Sequence, residues 1–124
     1  MHWVLAPEPV SSSDIFLRHK TTRRHRYDDD WQRLANTQGA DDVLYRNERG
    51  ELTEGSRTNV FIERGGRLLT PPIGSGLLPG VLRAELLATG RAVEHVLDLA
   101  DLSNGDAVYL GNSVRGLVKA KPRN

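Results

Sequence analysis

Apolar residues come mostly in short runs of two to five, broken by Gly, Pro and charged residues, and this pattern predicts more strands than helices. Residues 2–6 predict a first strand, and Pro7, Pro9 and Ser11-Ser12-Ser13 a loop after it. From about residue 24 to 38 the spacing turns helical. Tyr27, Trp31, Leu34 and Gln38 fall at i, i+4, i+7 and i+11, an apolar stripe with a polar tail, and Gly39 stands where a helix C-cap is expected. Strands are then predicted at 42–46, 58–63, 67–70, 92–97, 107–110 and 116–120, with turns at 47–50 and at Gly65-Gly66. The Pro- and Gly-rich stretch 71–80 reads as a loop, and Pro79 suits the first position of a helix that stops at Gly90. One helical turn is expected near 99–104. The pattern contains no internal repeat and no low-complexity segment. The class it gives is mixed α and β.

Composition narrows the function classes. At 124 residues the chain suits one domain. Its 17 basic and 16 acidic residues leave a net charge of +1, which gives no reason to expect a nucleic-acid or membrane partner. The absence of cysteine removes disulfides and thiolate metal sites, and no metal is expected. No apolar run is long enough to span a bilayer, so a cytoplasmic location is the default expectation.

Four segments carry candidate chemistry, and each also has an ordinary structural reading. Phe16-Leu17-Arg18-His19-Lys20-Thr21-Thr22-Arg23-Arg24 reads as a solvated basic loop when taken alone. It lies, however, between an apolar triplet and an amphipathic helix. A nucleophilic lysine needs that fixing, and Arg18, Arg23 and Arg24 are placed to supply a cationic environment that lowers its pKa. Leu52-Thr53-Glu54-Gly55-Ser56-Arg57-Thr58-Asn59-Val60-Phe61 places Glu54 at a bend ahead of a strand, either as a polar turn residue or as a carboxylate aimed into a cleft. Gly74-Ser75-Gly76-Leu77-Leu78-Pro79-Gly80-Val81-Leu82-Arg83 leads a loop into a helix. The N–H groups of Gly80, Val81 and Leu82 then form an anion site, unless this is a plain joint; it is not a P-loop, because no Gly-Lys-Ser/Thr follows. Tyr109-Leu110-Gly111-Asn112-Ser113-Val114-Arg115-Gly116 is a hairpin turn in which Asn112 and Ser113 are candidate phosphate donors and Arg115 a candidate carboxylate fork.

These four segments, in this order, resemble the fold-type IV pyridoxal-phosphate enzymes, the class IV aminotransferase and aminodeoxychorismate lyase family. The resemblance runs from about Trp3 to Val118. It implies a D-amino acid aminotransferase-like fold with a barrel-like mixed sheet and two main helices. It implies Lys20 as the lysine bonded to the cofactor, Glu54 as the partner of the pyridine nitrogen, Gly80, Val81 and Leu82 as phosphate-holding N–H groups, and Asn112 and Ser113 as the rest of the phosphate cup. Tyr27 follows Lys20 by seven positions, where transaminases carry a tyrosine at a similar but not identical spacing. Arg115 is implied as a substrate contact.

Two strings, His19-Lys20-Thr21-Thr22-Arg23 and Gly111-Asn112-Ser113-Val114-Arg115-Gly116, are similar to the lyase-like domains fused to aminodeoxychorismate synthase component I. The expected function is therefore a 4-amino-4-deoxychorismate lyase-like domain that yields pyruvate and 4-aminobenzoate for folate synthesis. The alternatives are a branched-chain or D-amino acid aminotransferase and a catalytically inactive truncated domain. A small nucleic-acid module built on residues 19–26 is disfavoured by the near-neutral charge. Family members carry a smaller N-terminal domain, so residues 1–124 are expected to be a single cofactor-binding domain belonging to a longer, homodimeric parent.

Overall fold

The computed structural model describes residues 1–13 and 20–123, with side chains from Arg23 onward in the first helix; Phe16 to His19 of the lysine segment lie outside the described residues. The strands are β1 (His2–Leu5), β2 (Asp42–Arg46), β3 (Leu52–Gly55), β4 (Asn59–Arg64), β5 (Arg67–Thr70), β6 (Ala92–Glu94), β7 (Ala107–Asn112) and β8 (Gly116–Pro122). The helices are α1 (Lys20–Asp30), continued by a π-helical segment Trp31–Asn36, then α2 (Val81–Ala88) and the short α3 (Asp101–Asn104). The class is mixed α and β, with two main helices, as the sequence indicates.

The sheet closes on itself. Its order is β3-β2-β1-β8-β7-β4-β5-β6, and β3 also pairs with β4 through Glu54 and Asn59. Six strands therefore form a ring, and β5 and β6 extend from β4 beyond it. β1 runs parallel to both β2 and β8, and β6 parallel to β5; the other pairs are antiparallel.

Strand alternation divides the apolar residues among three clusters. Trp3, Leu44, Leu52, Val60, Ile62, Val108, Leu110 and Ala120 come from all six ring strands and meet, with Leu97, in one core. Val43 and Tyr45 point the opposite way from Leu44 and pack with Val4, Ala6, Tyr27 and Ala35 under α1 and its π-helical continuation. Phe61, between Val60 and Ile62, packs with Leu86, Ala92 and Leu82 under α2. Because β2 and β4 are covered on both faces, they read as near-continuous apolar runs. The stripe predicted on the first helix lies where expected: Tyr27 is buried, Trp31 and Leu34 are half-buried against the same cluster, and Gln38 is exposed.

Several boundaries differ from the sequence reading. The described part of the first helix already includes Lys20, four residues before the predicted start, so the lysine lies within a helix instead of preceding one. β3 was not predicted, since Leu-Thr-Glu-Gly carries one apolar residue and a glycine; Glu54 stands inside that strand and the bend follows it at residues 56–58. Pro79 is not the first helical residue. Gly80, extended at φ −82° and ψ 164°, is the N-cap, and α2 begins at Val81. The strand expected at 92–97 ends at Glu94.

Candidate functional site

One cleft of about 240 Å³ gathers residues from four separate stretches of sequence. Helix α1 supplies Arg24 and Tyr27, β3 supplies Glu54, the loop ahead of α2 supplies Leu78, Pro79 and Gly80, and the end of β7 supplies Asn112. Ser56 to Asn59 form the wall between them.

Glu54 is 5% exposed. Its Oε2 accepts the hydroxyl of Tyr27 at 3.1 Å and its Oε1 accepts the N–H of Leu78 at 3.3 Å. Burial pushes its carboxyl up to about 7, against the opposing pull of Arg23, the Leu78 N–H, Tyr27 and Arg24. Tyr27 is 2% exposed and stacks on Tyr45 with ring centroids 4.2 Å apart and planes 17° off parallel. The Tyr45 hydroxyl donates to Asp30 Oδ2 at 2.9 Å. Burial and the charge of Glu54 hold the Tyr27 phenol far above its usual range, so it serves as a hydrogen-bonding group and stays protonated. Behind it, Arg23 donates from Nε to the Tyr27 hydroxyl oxygen at 3.0 Å and from Nη2 to the carbonyl of Gly76 at 2.6 Å.

The opposite wall is held by side chains that serve the backbone. Asn59 opens β4, donates to the carbonyl of Leu78 at 3.1 Å, and accepts the N–H of Gly80 at 3.1 Å. A Cβ at residue 80 would lie 2.6 Å from Asn59 Oδ1, so a larger residue there would push the Asn59 side chain off its two bonds. Asp42 is 1% exposed and accepts from the Ser56 hydroxyl, from Thr58 Oγ1 at 2.7 Å and from the Val43 N–H at 2.8 Å, fixing the turn after Glu54. Burial raises its carboxyl above the usual range, opposed by those three bonds.

The sequence-predicted residues are placed as follows. Lys20 is the first residue of α1, one to two turns ahead of Arg23 and Tyr27. Tyr27, Glu54, Gly80 and Asn112 line the cleft together. The Gly80 N–H is already given to Asn59, and the first helical bond of α2 runs from the Ala84 N–H to the Gly80 carbonyl, so the N–H groups of Val81 and Leu82 are not used inside α2, but neither residue is among those lining the cleft. Their side chains lie elsewhere, Val81 exposed and Leu82 against Phe61. Asn112 gives its Nδ2 to the carbonyl of Arg57 at 2.9 Å and accepts the N–H groups of Val114 and Arg115 at 3.0 and 2.8 Å. Ser113 is exposed and outside the cleft lining.

Arg115 lines a neighbouring cavity of about 370 Å³, which shares Arg57, Thr58 and Asn112 with the cleft. There Arg57 lies 4.3 Å over the ring of Trp31. A larger open depression of about 570 Å³, between Arg67 and Tyr109, contains none of the predicted residues. The sequence reading left Asn59 and Asp42 without a role and took Arg23 only as nearby charge. The available signal was a polar residue opening each of two strands that are otherwise apolar on both faces.

Comparison with known proteins gives the family of the chain. The sequence model of the amino-transferase class IV family matches residues 2–121. An aminodeoxychorismate lyase from Saccharomyces cerevisiae is 32% identical over 133 aligned positions, covering 94% of this chain and 35% of that protein. A crystal structure of a putative amino-acid aminotransferase from Mesorhizobium loti is 48% identical, with a TM-score of 0.85, covering 97% of this chain and 58% of that one. A putative 4-amino-4-deoxychorismate lyase from Legionella pneumophila is 26% identical, with a TM-score of 0.86 and coverage of 98% and 47%. The chain thus spans about a third of the yeast relative and about half of the solved ones. With nearly its whole length matched to the family model and its cleft built from the segments that the resemblance identified, the chain belongs to the class IV amino-transferase family.

Proposed function

We propose that the cleft holds pyridoxal phosphate and that the chain forms the cofactor-binding part of a 4-amino-4-deoxychorismate lyase. The observation that carries this reading is Glu54, a buried carboxylate at the cleft with a donor on each oxygen. The donor set fits the group. A carboxylate of this kind takes the N–H of a protonated pyridine ring, and the N–H groups of Val81 and Leu82, at the positive end of the α2 dipole, take a phosphate. When bound, the cofactor supplies an electron sink for the pair left on the substrate after a proton is removed.

The remaining roles fall to the chain's own residues. Lys20 would hold the cofactor and, when its Nζ is free, would take the substrate's α proton there. Glu54 accepts the ring N–H and keeps that nitrogen protonated. Tyr27 contributes through Glu54, to which it donates. Asn112 shapes the turn at the phosphate end. Arg115 and Arg57, in the adjoining cavity, offer two guanidinium groups to a substrate carboxylate. Loss of the α proton and cleavage of the ring C–O bond, with the released enolpyruvate taking up a proton to become pyruvate, would leave an aromatic ring, 4-aminobenzoate.

The Mesorhizobium relative, named as an amino-acid aminotransferase and 48% identical, favours a second reading in which a keto acid leaves instead. Both readings use Lys20 and Glu54 alike. Addition of pyridoxal phosphate to the purified chain, borohydride reduction and peptide mass mapping test the cofactor reading. The expected result is a single adduct on the Lys20 peptide that disappears in Lys20→Ala; an adduct spread over several lysines, or none, rejects it. Assay of a parent protein for pyruvate with 4-aminobenzoate, against a keto acid, separates the two reactions.

A further inference from the structure

Arg23 is 7% exposed and reaches inward from α1. Its Nη2 is pinned by the Gly76 carbonyl at 2.6 Å and its Nη1 by the Ser11 carbonyl at 3.3 Å. The pin is itself fixed. Gly76 has φ of +104°, and a Cβ there would lie 2.6 Å from the Cα of Ser12, so no other residue fits without moving the loop that carries the carbonyl. With two corners held, the third nitrogen, Nε, points at the hydroxyl oxygen of Tyr27 at 3.0 Å.

Hydrogen-bond direction then follows from proton counting. A guanidinium has donors and no acceptor and does not lose its proton in proteins. The Tyr27 oxygen must therefore accept from Arg23, and a phenol has one proton, which is left for its other partner, Glu54 Oε2. On the other side, the backbone N–H of Leu78 can only donate, to Oε1. A protonated Glu54 would set its own proton against a donor at either oxygen. If Arg23 were absent, the same Tyr27–Glu54 contact could be made in reverse, with a neutral acid donating to the phenol oxygen, and burial would favour that uncharged form.

We propose that Arg23 is a positioning residue for Glu54: by fixing the direction of the Tyr27 hydroxyl it makes Glu54 an acceptor on both oxygens, ready for a donor in the cleft. The consequence for catalysis rests on the cofactor reading above, because an acceptor-only carboxylate obliges the ring nitrogen it meets to keep its proton. The hydrogen-bond direction itself does not rest on that reading and is measurable without any ligand. Among the described side chains, the charged and titratable groups around Glu54 are Arg23, Arg24 and Tyr27 from α1, with Tyr45 of β2 behind Tyr27 and Asp30 beyond it. The loop ahead of α2 contributes the Leu78 N–H.

The test is a carbon-13 NMR titration of the cofactor-free chain, labelled at glutamate Cδ, with the Glu54 signal assigned by its loss in Glu54→Gln. The wild-type midpoint is expected near 7. Arg23→Met is expected to raise it by about one pH unit or more, and Arg23→Lys, which keeps a donor-only group, to return most of the shift. Tyr27→Phe leaves the guanidinium in place but removes the relay, and it too is expected to raise the midpoint. A midpoint in Arg23→Met within about 0.3 pH units of wild type overturns the proposal. So does an unmoved midpoint in Tyr27→Phe, which decides the matter if the methionine variant does not fold. Failure of the cofactor reading would appear separately, as a missing Lys20 adduct.

Discussion

Among the described residues two arginines are buried, both delivered by helices, and they meet their carboxylates differently. Arg83 of α2, 3% exposed, pairs directly with Glu94 of β6 at 2.6 Å and donates to the Pro71 carbonyl at 3.1 Å. Glu94 is largely in water, with a side chain 47% exposed, and the Arg83 Nε has no partner. This is a latch that ties α2 to the extension of the sheet. Arg23 of α1 reaches Glu54 only through Tyr27, and it is Glu54 that is sealed from solvent. The first arrangement spends a charge on holding two elements together. The second spends it on deciding which atom carries a proton, so the same residue type is structural at one end of the domain and chemical at the other.

The largest expected effect separates the two carboxylates. Under the proposed cofactor role, Glu54→Gln is expected to lower turnover by about 10²–10³-fold, since it removes the charge that would stabilise a protonated ring, whereas Glu94→Gln stays within about twofold. Steady-state kinetics decide it, and equal losses would abolish the distinction.

Next is pH. Glu54 binds its proton up to about 7 in the fold but only to about 4.5 when unfolded. The folded state therefore holds more protons between these values, and stability falls as pH rises through that window. The upper bound of the effect is about 3 kcal/mol. Urea midpoints from pH 4.5 to 7.5 should show Glu54→Gln without this decline, while Glu94→Gln keeps it.

Smaller still, Arg83→Met is expected to destabilise the domain by about 2 kcal/mol, by loss of the latch and of the donor to Pro71, with the Glu54 midpoint unmoved. Thermal unfolding and the NMR titration read the two halves of that statement. Smallest is Glu94→Gln itself, below about 1 kcal/mol, because the partner of Arg83 is half in water and an amide oxygen can still accept.

The parts of this picture legible in the sequence are those with local causes. The stripe through Tyr27, Trp31 and Leu34 follows from helical spacing, and the strand after Asp42 from an apolar run. Glu54, Gly80 and Asn112 were legible because four segments together resemble a family, though each alone reads as a turn or a joint. What escaped depends on contacts far apart in the chain. β3 has little strand propensity and exists because β2 and β4 pair with it on both sides. Arg23 stands in a basic cluster, where nothing local says that it turns inward to a carbonyl 53 residues away. Asp42 lies next to Asp41 in sequence, yet one is buried and the other exposed, because Asp41 precedes β2 while Asp42 opens it, at the point where the Ser56 to Thr58 turn needs an acceptor.

The ring closure made by the Glu54–Asn59 pairing has a consequence for the life of the protein at high concentration. Each of the six ring strands has a neighbour on both sides, though β8 meets β1 only at Lys121 and Pro122. Among the described strands the sheet's order ends at β6, which is three residues long and carries a charged glutamate. An edge that short is a poor template for intermolecular pairing, so the open end of the sheet is protected against edge-to-edge aggregation by its own shortness.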